Sequence, residues 1–199
     1  MATHFETKSR TRRSLIDAAL RLSSALGFSG LSLREIAREA GTAPTAFYRH
    51  FRDMDDLGLA LLDEVGLSLR QLMRQARRRA ERKRGRVRAS VETLIEFIHK
   101  NDNLFRLFLG ERSGSSPAFR KAIQSEMSRF IGELSEDLEN AASAAKRPLI
   151  DAGLAAEAIV AVVFTVGAEA LELPSHHRKQ LTERIIQEVR MVLRGAEKD

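Results

Sequence analysis

Apolar residues recur at helical spacing in almost every segment of the chain, and this pattern constrains the fold more than any other. Leu15, Ala18, Leu22 and Leu26 illustrate it, because residues three or four apart lie on one face of a helix. No segment shows the sustained alternation of apolar and polar residues, bounded by hairpin turns, that is typical of strands. The sequence therefore predicts an all-α protein.

Glycine and capping signals divide the chain into nine predicted helices. Gly27 and Gly41 are helix stop signals, and Gly85 marks the break after a long fourth helix. Ser32 and Glu35 form a capping box at the start of the second helix. The predicted helices cover about residues 8–26, 33–40, 43–50, 53–83, 87–100, 102–110, 117–145, 151–173 and 175–195.

Charge is unevenly distributed along the chain. Residues 1–88 hold 19 Lys and Arg against 10 Asp and Glu, a net charge of +9, whereas residues 89–199 hold 14 against 17, a net charge of −3. A basic first half suits a polyanion such as nucleic acid. A basic surface that serves only solubility explains the charge equally well.

Composition and targeting signals favour a cytoplasmic protein. The chain has no cysteine, which excludes disulfides and thiolate chemistry. Residues 1–13 are polar and basic and lack the apolar core of a secretory signal. The longest apolar run, near residues 158–168, is shorter than the ~20 residues that span a bilayer. We therefore expect a buried core helix there and no membrane partner.

A short helix, a glycine-containing turn and a second short helix, over residues 33–50, have the shape of a helix-turn-helix. Ile36, Phe47 and Phe51 are predicted to be buried. The polar residues around the second helix are left to face outward, where the start of such a helix reads base edges and nearby hydroxyls and cations bind phosphates. The predicted DNA-binding residues are Ser32, Arg34, Thr42, Thr45, Ala46, Tyr48, Arg49 and His50.

Three segments resemble the TetR family of bacterial one-component repressors: TRR at 11–13, SLREIAREAG at 32–41 and FYRHF at 47–51. The resemblance implies a homodimer on palindromic operator DNA in the bacterial cytoplasm. It implies a three-helix head in residues 1–52 and a ligand-binding, dimerising body in residues 53–199, with helix 4 as the connector. It also assigns roles to individual residues: Tyr48 and His50 to the DNA backbone, Thr45 and Ala46 to bases, and Ser32 and Arg34 to phosphates.

The chain departs from the family pattern at Ala43 and Pro44, where many members have a serine or threonine that caps the recognition helix. We expect the cap to move to Thr42. For two of the predicted contacts an alternative stays open, since Tyr48 is also able to pack against the core and His50 to be an exposed, solvated histidine.

The body shows no pattern typical of catalysis or of metal binding. His99, His176 and His177 lack the spacing of a metal site, and there is no GxSxG nucleophile turn. We therefore expect no enzyme, no metal and no cofactor. An enzyme or a helical protein of the membrane surface is the least favoured class.

Phenylalanines are spread over several helices of the body, either as ordinary core or around an apolar cavity of the kind in which helical bundles bind ligands. Segments 69–77, 105–109, 111–114 and 164–171 resemble the FabR and DesT branch of the family, repressors of unsaturated fatty-acid synthesis. That resemblance implies long-chain acyl-coenzyme A as the effector; the alternative is a regulator of efflux or another pathway that senses an unrelated hydrophobic compound. The residues expected at the ligand are Phe97, Phe105, Phe108, Phe119, Phe130, Phe164, Arg74, Arg77 and Arg78.

Two further surfaces are predicted in the body. A dense basic run over residues 74–88 lies ~30–45 Å along the fourth helix from its start, and it suits the phosphates of coenzyme A, a solvated face or a membrane surface. The last two helices are expected to form the dimer through an apolar, small-residue surface. Its predicted residues are Ile159, Val162, Val163, Val166, Gly167, Ile185 and Val189.

Overall fold

A computed structural model describes residues 4–80, 85–112 and 116–198, and over these ranges the chain is helical throughout. Its only β-type pairing in these ranges is one isolated bridge between Leu149 and Glu197. The nine α-helices are α1 His4–Leu26, α2 Leu33–Glu39, α3 Pro44–Phe47, α4 Met54–Ala80, α5 Arg86–Lys100, α6 Asp102–Glu111, α7 Pro117–Ala145, α8 Ala152–Gly167 and α9 Arg178–Gly195. The all-α prediction and the nine helices are confirmed.

The glycine stop signals end helices at the positions that the sequence predicted. Gly27 and Gly41 end their helices with φ of 69° and 67°, a left-handed conformation that glycine adopts without the steric cost other residues pay. Two of the predicted α-helices are 3-10 helices at one end. The helix predicted to reach 173 becomes a 3-10 helix over Ala168–Leu171, and the last helix is preceded by a 3-10 turn over Ser175–His177.

The chain divides into two compact units that are each discontinuous in sequence. The first consists of Met1–Leu67 and Asp102–Gln124, and the second of Ser68–Asn101 and Ser125–Asp199. Domains of 1–52 and 53–199 were predicted as contiguous segments. The observed division differs because α6 packs against α1, which places a segment from the middle of the chain with the N-terminal helices.

The first unit has an aromatic contact at its centre. The rings of Phe28 and Phe119 lie 4.8 Å apart between centroids. Gly58 of α4 faces the same ring, and a Cβ atom built there would lie 1.8 Å from Cζ of Phe119. The glycine therefore permits α4 and α7 to approach closely within this unit.

The second unit contains a buried charge network. Glu126 of α7 has a side chain only 3% exposed and pairs with Arg70 of α4 and with Arg129. Arg70 also lies 3.7 Å from Glu133, which Arg74 reaches at 3.1 Å. A buried carboxylate without such partners would be strongly destabilising. The network therefore fixes the second half of α4 against α7.

One apolar segment of the described chain has the length and composition of a membrane span. Ala152–Leu171 is 20 residues long, has a mean hydropathy of 1.9 and is half buried inside the protein. The apolar run predicted near residues 158–168 lies within this longer segment, whose length the sequence pattern did not predict. A core helix of a globular protein has the same length and composition.

Candidate nucleic-acid interface and ligand cavity

The start of α2 is held by a reciprocal set of hydrogen bonds. The hydroxyl of Ser32 accepts from the backbone N–H of Glu35 at 3.3 Å, and the Glu35 carboxylate accepts from the backbone N–H of Ser32 at 2.9 Å. The same hydroxyl donates to this carboxylate at 2.6 Å, and these bonds lower the pKa of Glu35. The predicted capping box is confirmed, and it holds Ser32 at the surface.

α3 begins without a side-chain cap. Its N-cap residue is Ala43, and Pro44 occupies the first turn. The prediction that Thr42 takes over the cap is wrong, because no side chain makes a cap hydrogen bond at the start of α3. The backbone N–H of Thr42 bonds to the carbonyl of Ala37 as part of the turn. Proline has no N–H to satisfy, so the first turn needs one partner fewer.

The predicted DNA-binding residues lie on α2, on α3 and in the turns beside these helices. We call this stretch, residues 32–50, the α2–α3 segment. Ile36, Phe47 and Phe51 are buried, as predicted, and their burial leaves the remaining side chains of this segment outside. Tyr48 is 65% exposed, so its side chain does not pack in the core. Ser32, Arg34, Thr45 and Arg49 are also exposed, whereas Thr42, Ala46 and His50 are half-buried.

His50 is placed among cations. Burial lowers the pKa of His50 most, and the positive charges of Lys8, Arg12 and Arg49 lower it further. Arg12 lies 5.1 Å from the centre of the Phe51 ring, a cation–π contact that fixes it there. Lys8 and Arg12 therefore extend the positive surface from α3 onto α1. Sequence reasoning did not select these two residues, although the basic start of the chain was a signal for them.

The second unit contains a cavity of about 620 Å³. It lies among α4, α5, α7, α8 and α9, and most of its lining side chains are apolar. Phe130 and Phe164 line it, with ring centroids 5.9 Å apart. A largely apolar cavity of this size falls within the range of about 300–1,000 Å³ typical of small-molecule sites.

Of the other predicted ligand residues that the structure describes, none lines this cavity. Phe105, Phe108 and Phe119 are buried in the first unit, and Phe97 is buried in the second unit without lining the cavity. Arg74 is half exposed and pairs with Glu133. The side chains of Arg77 and Arg78 lie outside the described residues, as does most of the predicted basic run.

Polar residues that the sequence did not single out line one part of the cavity. They are Arg86, Ser90, Asp137, Asn140, Arg147 and Glu197. Arg86 was noted only as a member of the basic run, and nothing local to Arg147 marks it as a lining residue. Their common position depends on contacts between helices far apart in sequence.

The residues predicted for the dimer are mostly inside the chain's own second unit. Ile159, Val163 and Val189 line the cavity, and Val166, Gly167 and Ile185 are buried. Only Val162 is half exposed. A side chain already buried in its own unit has no surface left for a partner. The outward faces of α8 and α9 instead present Leu154, Ala161 and Met191, of which Leu154 is 65% and Met191 70% exposed.

Among the described residues, no group of three or more His, Cys, Asp or Glu side chains is arranged to hold a metal ion. His176 and His177 are both exposed, and their rings contact each other in a tilted arrangement with centroids 4.0 Å apart. Neither residue lines the cavity.

Comparison with known families gives two matches that together cover most of the chain. Residues 15–61 match the model described as bacterial regulatory proteins of the tetR family. Residues 83–192 match the model described as a tetracyclin repressor-like C-terminal domain. The first match contains the α2–α3 segment, and the second contains most of the helices that line the cavity.

Three solved structures illustrate the likeness in fold. FadR from Bacillus subtilis, determined in complex with stearoyl-CoA, is 16% identical with a TM-score of 0.72, covering 90% of this chain and 96% of that one. The fatty acid degradation regulator FadR from Bacillus halodurans is 17% identical with a TM-score of 0.73, covering 92% and 94%. NemR from Escherichia coli in its reduced form is 22% identical with a TM-score of 0.74, covering 92% and 97%.

Proposed function

The chain belongs to the TetR family of bacterial regulatory proteins, and from that premise we propose that it represses genes of fatty-acid metabolism, unsaturated fatty-acid synthesis among them, in response to a long-chain acyl-coenzyme A. The observation that carries the proposal is the largely apolar cavity of about 620 Å³ in the second unit. Family members are typically non-enzymes, and the proposal assigns the protein no catalytic role and no cofactor.

An acyl chain matches the chemistry of this cavity. Each methylene group that leaves water contributes ~0.8 kcal/mol, so a chain of about sixteen carbons is able to supply most of the binding energy. Phe130, Phe164 and the aliphatic residues around them offer dispersion contacts without requiring a charged partner. A similar fold, that of FadR from Bacillus subtilis, was determined with stearoyl-CoA bound.

The proposed operator contact uses the exposed segment around α3. Tyr48 and Arg49 are exposed beside Thr45, and His50 shares a positive surface with Lys8 and Arg12. Hydroxyls and cations of this kind bind DNA phosphates and fix the register, while residues near the start of the recognition helix reach base edges. We propose that two subunits present these segments together to a palindromic operator in the cytoplasm.

The proposed homodimer uses the outward faces of α8 and α9 rather than their inward apolar residues. Leu154 and Met191 are large apolar side chains that the chain leaves exposed. Ala161, whose side chain is smaller than either, is exposed on α8, where a small side chain permits close helix approach. An isologous contact of this surface with itself would give the two-fold symmetry of a palindromic site.

The proposal is tested with the full-length protein and two ligand chemistries. Mass spectrometry identifies any ligand carried through purification, and calorimetry then measures binding of palmitoyl- and palmitoleoyl-coenzyme A. The enlarging substitution Val163→Phe fills the cavity and is expected to abolish binding. Leu67→Phe, at an exposed residue of the first unit, is the matched control and is expected to leave binding unchanged. If neither thioester binds and an unrelated hydrophobic compound is carried instead, the efflux-type alternative replaces the proposal.

A further inference from the structure

The cavity is polar at one end and apolar at the other. Phe130 and Ala144 both line it and lie fourteen residues apart on α7, which places them ~21 Å apart along the helix. The residues near Phe130 are apolar, whereas Asp137 and Asn140 lie further toward the C-terminal end of α7. A ligand that fills such a cavity has one apolar part and one polar part.

Arg86 lies toward the same end. α4 and α7 run in the same direction, because Arg70 pairs with Glu126 and Arg74 pairs with Glu133. Arg86 follows the end of α4 by six residues, which places it toward the C-terminal end of α7. Arg86 is the first residue of α5, and Val87 and Ser90 follow it along the lining. Glu197 follows the C-terminal end of α9, whose Val189 lies deeper among the apolar lining residues. Arg86 and Asn140 are both exposed. The polar end is therefore the mouth of the cavity.

An ion pair closes part of this mouth. Arg147 pairs with Glu197, and their side chains are 68% and 30% exposed. The backbone holds the two residues near each other independently of this pair. The N–H of Ile150 donates to the carbonyl of Ala196 at 2.7 Å, and that of Lys198 donates to Pro148 at 3.0 Å.

The turn after α7 also fixes Arg147. Lys146 adopts φ of 53°, and its N–H donates to the carbonyl of Ser143 while the N–H of Arg147 donates to that of Ala142. This is the hydrogen-bond pattern of a Schellman motif. The guanidinium of Arg147 is thus attached to a fixed backbone, while its own exposure leaves the side chain free to exchange partners.

Arg86 places a second guanidinium at the mouth of the cavity. No hydrogen bond or ion pair joins its side chain to another residue within the described part of the chain. Arg147 is neutralised by Glu197, and Asp137 adds a further negative charge to the lining. An anion entering the mouth therefore meets Arg86 directly and competes with Glu197 for Arg147.

We propose that the cavity binds an amphipathic anion whose charged head is held by Arg86 and Arg147. Glu197 is the internal competitor that the head displaces from Arg147, and the apolar chain lies toward Phe130 and Phe164. The inference rests on the proposed function of the cavity and names the part of the ligand that the mouth recognises. A fatty-acid carboxylate and a coenzyme A phosphate both have this chemistry.

Calorimetric titration with palmitate, palmitoyl-coenzyme A and neutral 1-hexadecanol tests the inference. Arg86→Gln and Arg147→Gln are expected to weaken binding of the charged probes about tenfold or more, because each removes a charge-assisted contact. Glu197→Gln is expected to tighten their binding, because it removes the competitor. Binding of 1-hexadecanol should change little in all three variants, and Arg74→Gln, which removes an arginine paired outside the cavity, is the matched control.

The opposite signs at Arg147 and Glu197 separate recognition from a structural role. If their pairing served only to hold the C-terminal segment, both substitutions would change binding in the same direction, and that result would overturn the inference. Unchanged binding in every variant would overturn it too, while leaving a ligand cavity in place. If palmitate follows the expected pattern and palmitoyl-coenzyme A does not bind, the inference stands and the acyl-thioester proposal fails.

Discussion

The protonation of His50 depends both on the surface charge of the DNA-binding head and on bound DNA. In the free protein, burial and the charges of Lys8, Arg12 and Arg49 lower its pKa. A phosphate placed beside the imidazole has the opposite effect, since a nearby negative charge favours the protonated form. Binding of DNA would then raise the pKa of His50 above its value in the free protein.

The first prediction concerns the pH dependence of DNA affinity. Because the pKa is higher in the complex, binding takes up protons, and affinity rises as the pH falls from above the pKa of the complex to below that of the free protein. Titrations in fluorescence anisotropy at constant salt and decreasing pH should show this rise. His50→Gln should reduce the slope, whereas His176→Gln, at an exposed histidine in the second unit, should not. An equal slope in His50→Gln and the unchanged protein would remove His50 from the interface.

At the scale of elements, local signals were predictable and contacts between distant helices were not. The capping box of Ser32 and the helix stop at Gly41 depend on residues within one turn, so the sequence contains all the information. Phe119 was assigned to a ligand because its periodicity shows that it is buried but not what it contacts. In the structure it packs on Phe28 and faces Gly58, residues that are more than fifty positions away along the chain.

The second prediction tests that close approach of α4 and α7 within the first unit. Gly58→Ala would place a Cβ 1.8 Å from the Phe119 ring, so the helices or the ring must shift, and we expect a loss of stability of about 1–3 kcal/mol. Gly132→Ala is the control, because nothing lies within 4 Å of a Cβ there and alanine is favoured over glycine in a helix by ~1 kcal/mol. Urea denaturation measures both. A stabilised Gly58→Ala would show that the ring does not constrain α4.

At the scale of the whole molecule, the sequence predicted which helix faces are apolar but not which of these faces lie inside the chain. The apolar face of α8 was read as a dimer surface, yet Ile159 and Val163 line the cavity within the chain. Both readings need an apolar stripe, and helical periodicity does not distinguish an internal cavity from an external partner. The exposed side chains of Leu154 and Met191 identify which faces remain available.

The third prediction follows from those outward faces. Leu154→Glu and Ala161→Glu should each place a carboxylate in the proposed interface, where an unpaired buried charge is costly, and sedimentation velocity should then show monomers that remain folded. Leu67→Glu, at a residue 51% exposed in the first unit, should leave the dimer intact. Dimers that persist in the Leu154→Glu, Ala161→Glu double variant would place the interface elsewhere.

In the proposed mechanism, occupation of the cavity changes the affinity of the protein for DNA. The most direct test measures the affinity of the full-length protein for its preferred duplex, selected from a randomised pool, at fixed salt with and without saturating palmitoyl-coenzyme A. We predict a change in affinity of about five- to 150-fold, the usual range of coupling between two sites, and none in the cavity-filled Val163→Phe variant. Saturation of the cavity with no change in the affinity of the unmodified protein for the duplex would contradict the account.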